Sequence, residues 1–272
     1  MGSQEIFKQG SRTFYYSSKF FPADKLEDVT KLYAFVRVAD DYVDSFPQQI
    51  DEFNKFYQEY KSALASKEIS NNQIIADFIQ LANKYNFEDS WTESYFESMA
   101  ADLKTIRCNN LEETKKYIFG SAVVVGYMMS RILEIDDRHQ PQAAFLAEAF
   151  QYINFIRDID EDNKRNRNYF PQDELKKHGL KDLTFDTISN NKDGFVSFIN
   201  EQLDRYFSWQ NQAIAAFKYI PRRYRIPLQT AVEMYSWTGR TIRKNPMVIY
   251  ERKVKPTKTR IILTGLKRII SL

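Results

Sequence analysis

QYINFIRDIDEDNKRNRNYFP, residues 151–171, is the stretch on which the reading of the chain turns. Wound as a helix over Gln151–Asp162, it places Gln151, Asn154, Asp158 and Asp162 at i, i+3, i+7 and i+11, all on one face. Ile153, Phe155, Ile156 and Ile159 flank that stripe. An amide pair followed by two carboxylates one turn apart suits a hard divalent cation. Mg²⁺ takes oxygen ligands, uses one or two protein carboxylates and leaves its other positions to water and substrate phosphate. Taken alone, such a stripe is more often a solvated acidic face, so the metal reading needs a second stripe.

The N-terminal third supplies one. LYAFVRVADDYVD, residues 32–44, sets Asp40 and Asp44 one turn apart, with Arg37 and Tyr33 extending the same face backward. A charge-rich surface helix would place Lys or Arg among those acids. Here the neighbours are Val38, Ala39, Tyr42 and Val43. Carboxylates in apolar surroundings need partners, and a shared metal cluster supplies them. Two such stripes facing each other across a cavity form a site for a metal-bridged diphosphate, with Asp40, Asp44, Asp158 and Asp162 as ligands.

These residues carry a resemblance. FYYSSKFFP at 14–22, YAFVRVADDYVD at 33–44, YIFGSAVVVGYMMSRIL at 117–133 and the stretch 151–171 resemble the squalene/phytoene synthase family in order and separation, over almost the whole chain. The resemblance implies an all-α, single-domain helical bundle of the isoprenoid synthase type, residues 1–272, around a central cavity. It implies head-to-head joining of two prenyl diphosphates with Mg²⁺, or Mn²⁺ in its place. Tyr33, Arg37 and Tyr169 would act with the four aspartates. Ser11, Thr13 and Phe14 match the N-terminal motif beside the diphosphate and the reacting carbons. Ser18 would face the tunnel, and its small size favours C20 over C15 chains. Tyr117 would be a tunnel wall. Gln151, Asn154, Arg157, Tyr235 and Arg252 would bind substrate. Val123 stands where many relatives carry a smaller residue, a departure that bears on the tunnel's bore.

Composition bounds the alternatives. The chain has 272 residues, 43% of them hydrophobic, with eight Gly and eight Pro. That is material for a sizeable core and few turns for an all-β fold. One cysteine, Cys108, excludes an internal disulfide and fits a reducing, cytoplasmic compartment. No apolar run approaches the roughly 20 residues that span a bilayer. The net charge of +3 is unevenly spread: residues 222–272 hold thirteen Lys/Arg and two acids. Such a segment attracts phosphate-bearing partners. With no nucleic-acid signature, diphosphate substrate and anionic lipid are preferred to nucleic acid. The tail RIILTGLKRIISL, 260–272, is amphipathic and could dock on the body or lie at a membrane surface, with docking slightly preferred.

The remaining elements read as helices. Residues 1–10 are expected to be a loose end. Helices are expected over 23–45, 51–65, 71–85, 90–102 and, with Asn110 as N-cap and Glu113 three residues on, through Leu133. A long helix opens at Pro141, residues 163–194 are irregular with short helical pieces, and further helices cover 195–219, 227–239 and 246–252. No strands are expected. Gly120 and Gly126 imply close approach by another group, either a packed helix or an isoprenoid chain. His139 and His178 lack a metal-ligand partner and read as structural or surface residues; Cys108 reads as inert.

The expected reaction is condensation of two geranylgeranyl diphosphates to phytoene through a cyclopropylcarbinyl diphosphate. The alternatives are a squalene or dehydrosqualene synthase acting on farnesyl diphosphate, with NADPH needed only for squalene, and a catalytically silent helical binding subunit. The silent reading predicts loss of one aspartate motif, whereas both are intact.

Overall fold

The computed structural model describes residues 2–66 and 69–271. Fifteen α-helices are described: α1 (Ser3–Gly10), α2 (Arg12–Ser18), α3 (Ala23–Asp44), α4 (Ile50–Ser66), α5 (Gln73–Tyr85), α6 (Asp89–Ala101), α7 (Leu111–Ile118), α8 (Val124–Ile132), α9 (Gln140–Lys164), α10 (Gln172–Lys177), α11 (Phe185–Asn190), α12 (Lys192–Ile214), α13 (Arg222–Lys244), α14 (Val248–Glu251) and α15 (Lys258–Ser271). The all-α expectation is met, with one addition. Strands β1 (Ile106–Cys108) and β2 (Arg167–Pro171) pair in parallel, Ile106 opposite Arg167. At three and five residues they are too short to show a period-two pattern.

The axis of the bundle is α9. One side of it, through Tyr152, Ile153, Ile156 and Ile159, is buried against α12 and the central apolar cluster. The other side, through Ala143, Ala147, Phe150, Gln151 and Asn154, lines a cavity. Helices α2, α3, α6, α8 and α13 enclose the rest of that space.

Local chemistry sets the boundaries. Asn110 caps α7, its Oδ1 accepting from the Glu113 N–H at 3.0 Å. The Glu113 carboxylate reaches back to the Asn109 N–H at 2.7 Å, a capping box displaced by one residue. Asn72 caps α5 through the Ile74 N–H. Residues 3–10 form α1 instead of a loose end. Phe7 is fully buried and stacks on Tyr33 with centroids 4.2 Å apart, so aromatic packing holds a segment too short to be helical alone. The helix expected from Asn110 to Leu133 is interrupted by a π-helical turn, Phe119–Val123. α13 begins at Arg222, five residues before Pro227, which lies inside it and is buried.

Candidate active site

The cavity has a volume of about 420 Å³, within the range of small-molecule sites. Its walls carry Ser11, Thr13, Phe14, Ser18, Tyr33, Arg37, Asp40, Tyr117, Gln151, Asn154, Arg157 and Tyr235, so twelve of the expected site residues converge on one space. The α9 stripe that lines it runs from Gln142 to Arg157. At ~1.5 Å rise per residue, that stripe is about 22 Å long. One end is charged, with Arg37, Asp40, Arg157 and Lys255; the other is apolar, with Phe217, Ile220 and Leu228.

Asp44, Asp158 and Asp162 are not on the cavity wall. Asp44 lies one helical turn beyond Asp40 on α3, Asp158 directly follows Arg157 on α9, and Asp162 lies about one turn further on. All are only partly exposed, and they sense each other. Asp162 is held well above the usual carboxylate range by burial, then by the charges of Asp158 and Asp44. Asp40 is pushed up to about 7 by burial, then by Asp44, against the pull of Arg37. Its 35% exposure is exposure to the cavity it lines. Asp158 is the exception. Despite burial its carboxyl lies below the ordinary range, because Arg157 donates to both its oxygens (2.9 and 2.5 Å) and Lys253 stands 3.3 Å away.

Arginines from the end of the second motif tie it to the first. Arg167 is buried and donates through Nη1 to Asp44 Oδ1 (2.5 Å), and through Nη2 to the carbonyls of Val43 (2.7 Å) and Asp102 (3.0 Å). Arg165 Nε donates to the Asp44 carbonyl at 3.3 Å. On the first helix Arg37 pairs with Asp40 (2.7 Å) and Asp41.

Asp102 is a member of this cluster that sequence reading missed. It caps the C-terminus of α6, is 3% exposed, and accepts from Tyr117 (2.7 Å) and Tyr169 (2.8 Å). Burial pushes it up to about 6, against the pull of Arg167 and the two phenols. Tyr169, expected to act with the four aspartates, therefore stands behind Tyr117 and holds Asp102; it does not line the cavity.

Arg252 is exposed and does not line the cavity, in contrast to expectation. The chain leaves α14 extended at Arg252 (φ −164°, ψ 153°), and in extended backbone residues two apart share a side. Lys253 and Lys255 take the side facing the site: Lys253 pairs with Asp158 and Glu161, and Lys255 lines the cavity. Crowding by burial, Arg157 and Lys253 pulls Lys255 down to about 8.

The reacting space is aromatic and small-walled. Phe150 stacks on Tyr235 (4.5 Å), and Phe14 meets both rings at 5.8 and 5.7 Å. Ser18 is buried with its hydroxyl donated to the Tyr15 carbonyl, so it presents little bulk. Gly120 explains itself by helix packing: a methyl there would fall 2.2 Å from the Ser94 carbonyl oxygen. Gly126 lines the cavity and also abuts Ala147 on α9. Val123 is buried off the cavity, so it does not narrow the bore; Ser121, Ala122 and Val125 do that work. His139 does line the far end, stacked on Tyr219 at 4.7 Å.

The donors present fit a hard divalent cation. They are carboxylate and amide oxygens, and Asn154 Oδ1 is buried without a hydrogen-bond partner among the described residues while its residue lines the cavity. Among the described residues no three acidic, His or Cys groups converge into a preformed cage.

Comparison with known proteins agrees with this geometry. The sequence profile of squalene/phytoene synthases matches residues 7–260. The chain belongs to the squalene/phytoene synthase family. Family membership makes it a prenyltransferase of the head-to-head type, and divalent-metal dependence is general in such enzymes. The 15-cis-phytoene synthase of Paracoccus sp. (strain N81106 / MBIC 01143) is 26% identical, covering 94% of this chain and 86% of its own. That of Pantoea ananas is 25% identical, over 86% and 79%. A dehydrosqualene synthase crystal structure superposes with a TM-score of 0.80, at 18% identity over 99% of this chain and 96% of its own. The squalene synthase of Alicyclobacillus acidocaldarius gives 0.76, at 20% identity over 89% and 92%. Squalene/phytoene synthases thus share the helical framework found here.

Proposed function

We propose that this enzyme joins two geranylgeranyl diphosphates head to head, with Mg²⁺, to give phytoene. The observation that carries the reading is the pairing of two mutually repelling aspartate stripes with the charged end of a cavity that α9 lines over about 22 Å and that is apolar at its far end. A C20 prenyl chain has about sixteen in-line carbons, and at roughly 1.3 Å advance per bond it extends about 20 Å, close to that lined length. A C15 chain would leave the apolar end unfilled. The similarity to phytoene synthases over most of the chain supports the same choice.

Asp40, Asp44, Asp158 and Asp162, with Asn154 and Gln151, would hold Mg²⁺, which when bound neutralises charge on the diphosphate leaving group. Arg37, Arg157, Lys253 and Lys255 add fixed cations around the same group, so its departure needs little reorganisation. The allylic cation left behind meets the Phe14, Phe150 and Tyr235 rings, whose faces attract positive charge. The second substrate's double bond attacks that cation, and loss of a proton closes a cyclopropylcarbinyl diphosphate. A second ionisation and rearrangement follow, and loss of a further proton completes phytoene. Tyr117, backed by Asp102 and Tyr169, sits on the wall where a phenol can organise the proton's departure. The apolar walls keep water from quenching the cations.

The test is incubation of purified protein with Mg²⁺ and either farnesyl or geranylgeranyl diphosphate, with and without NADPH, followed by identification of the hydrocarbon. Phytoene from the C20 substrate is expected, unaffected by NADPH. A C30 hydrocarbon as sole product overturns the C20 reading and assigns squalene or dehydrosqualene synthesis.

A further inference from the structure

Helix α15 runs back along α13 from the charged end of the cavity toward its apolar end. Arg260 sits over the Trp237 ring at 5.0 Å, and Arg268 approaches Glu233 at 3.8 Å. Its inner side is seated. Ile261 is buried, and Gly265 lies flat on Phe20, where a methyl would come within 2.0 Å of the ring. Docking on the body therefore occurs, yet it does not use up the helix's apolar residues. Leu263, Leu266 and Ile270, at i, i+3 and i+7, are 60%, 47% and 87% exposed, with Lys267 on the same outward face.

Neighbouring contacts place this face at one end of the molecule. Phe21, next to Phe20, meets Tyr224 at the start of α13, and Arg223 covers the Tyr224 ring at 4.7 Å. Just before α13, Tyr219 both lines the cavity and is 58% exposed, so the apolar end of the cavity reaches the surface here. Lys218, Arg222, Arg223 and Lys267 are exposed and make no ion pair with a described residue. Of the acids on the His139 side, Glu134 is held by Lys25 (2.6 Å), Asp137 by Arg131 (2.7 Å) and Asp136 by Arg138 (3.2 Å), while Asp24, close to Glu134, is exposed.

We propose that the outward face of α15, with the segment leading into α13, binds the surface of an anionic lipid bilayer around the apolar opening of the cavity. Exposed aliphatic side chains set among unpaired cations are the pattern of an interfacial helix, whose apolar residues enter the acyl boundary while Lys and Arg meet acidic headgroups. A second copy of this chain is the poorer occupant, because a two-fold contact would set the same cations against each other. Among the described residues no helix is long and apolar enough to cross a membrane, so the contact would be peripheral. Resting on the reaction proposed above, the surface also gives a hydrocarbon product a route into lipid that avoids water.

The test is co-sedimentation of the full chain with vesicles of phosphatidylcholine alone or mixed with phosphatidylglycerol, at low and high salt, without substrate. Binding to the mixed vesicles, weakened by salt, is expected, with little to phosphatidylcholine. Lys267→Gln and Arg222→Gln should each weaken it by about fivefold, and Ile270→Asn should weaken it as well. All three substitutions are on exposed side chains and should leave the melting temperature and turnover of detergent-dispersed substrate unchanged. Equal binding to both lipids, no binding, or a solution dimer that Ile270→Asn dissociates overturns the proposal. Since no turnover is read in the vesicle assay, failure of the proposed reaction leaves its outcome intact, and the converse.

Discussion

Arg167 donates to Asp44 across 123 residues of chain and so fixes one aspartate motif against the other. The same guanidinium caps the Val43 and Asp102 carbonyls, and the residue is 3% exposed. Removing it leaves buried acceptors and an uncompensated carboxylate, a change that typically costs about 3–5 kcal/mol. Arg167→Ala should therefore lower the unfolding free energy by that amount and abolish turnover, as read by chemical unfolding and product assay. Arg167→Lys should recover part of the stability and less of the turnover, because one ammonium cannot hold three acceptors in the guanidinium's fork geometry.

Asp158 belongs to the metal site in the proposed reaction, and it also neutralises Arg157 and Lys253. Asp158→Ala should reduce turnover by about 10²–10³-fold, the scale of losing one electrostatic contact to the leaving group. Raising Mg²⁺ should not restore it. A Mg²⁺ titration with inorganic diphosphate should raise the wild-type melting temperature by mass action, and do so less for the variant. Turnover unchanged at saturating Mg²⁺ removes Asp158 from the metal site.

Asp102 predicts a pH dependence of stability. Its folded pKa, about 6, lies above the ordinary carboxylate value because it is buried. The unfolded chain therefore releases this proton first as pH rises, and stability falls between about pH 4 and pH 6. Two pK units correspond to a contribution on the order of 3 kcal/mol. Unfolding measured across that window should show the decline in the wild type and a flatter profile in Asp102→Asn. A decline of equal size in the variant assigns it to other groups.

What could be read in the sequence follows from how each feature is encoded. The aspartate stripes were legible because helical periodicity is a local signal, and the lining residues of α9 recur every three or four positions. Asp102 was not, since a single acid at a helix end repeats with nothing; only the fold brings it to Tyr117 and Tyr169. Arg252 was expected from the family resemblance, and which of the neighbouring basic residues faces the cavity depends on the backbone's direction after α14, which local sequence does not encode. The β1–β2 pair and the seating of α1 depend on partners distant in the chain, Arg167 for Ile106 and Tyr33 for Phe7.

Lys255 should shape the alkaline limb of activity. Burial and its cationic neighbours lower its pKa to about 8, so the free enzyme loses this charge as pH rises through that value. Diphosphate capture, followed as kcat/KM, reports the free enzyme's groups and should fall above pH 8. Lys255→Arg keeps the charge at every accessible pH and should move that fall upward. An unmoved limb means that another group controls it.

Ser18 should govern the length of chain accepted. It is 4% exposed, lines the cavity, and is followed closely by Phe21 on the same wall. Its hydroxyl is already satisfied by the Tyr15 carbonyl, so the position contributes space and not a polar contact. Ser18→Phe would fill part of the depth that a C20 chain needs and leave room for a shorter one. Turnover of geranylgeranyl diphosphate should drop at least tenfold, while farnesyl diphosphate should be less affected, which competition between the two substrates measures directly. Ser18→Ala, which keeps the space, should behave as wild type. Equal losses on both substrates in Ser18→Phe would mean that the wall had collapsed generally, and an unaltered C20 rate would show that the prenyl chain takes another path through the cavity.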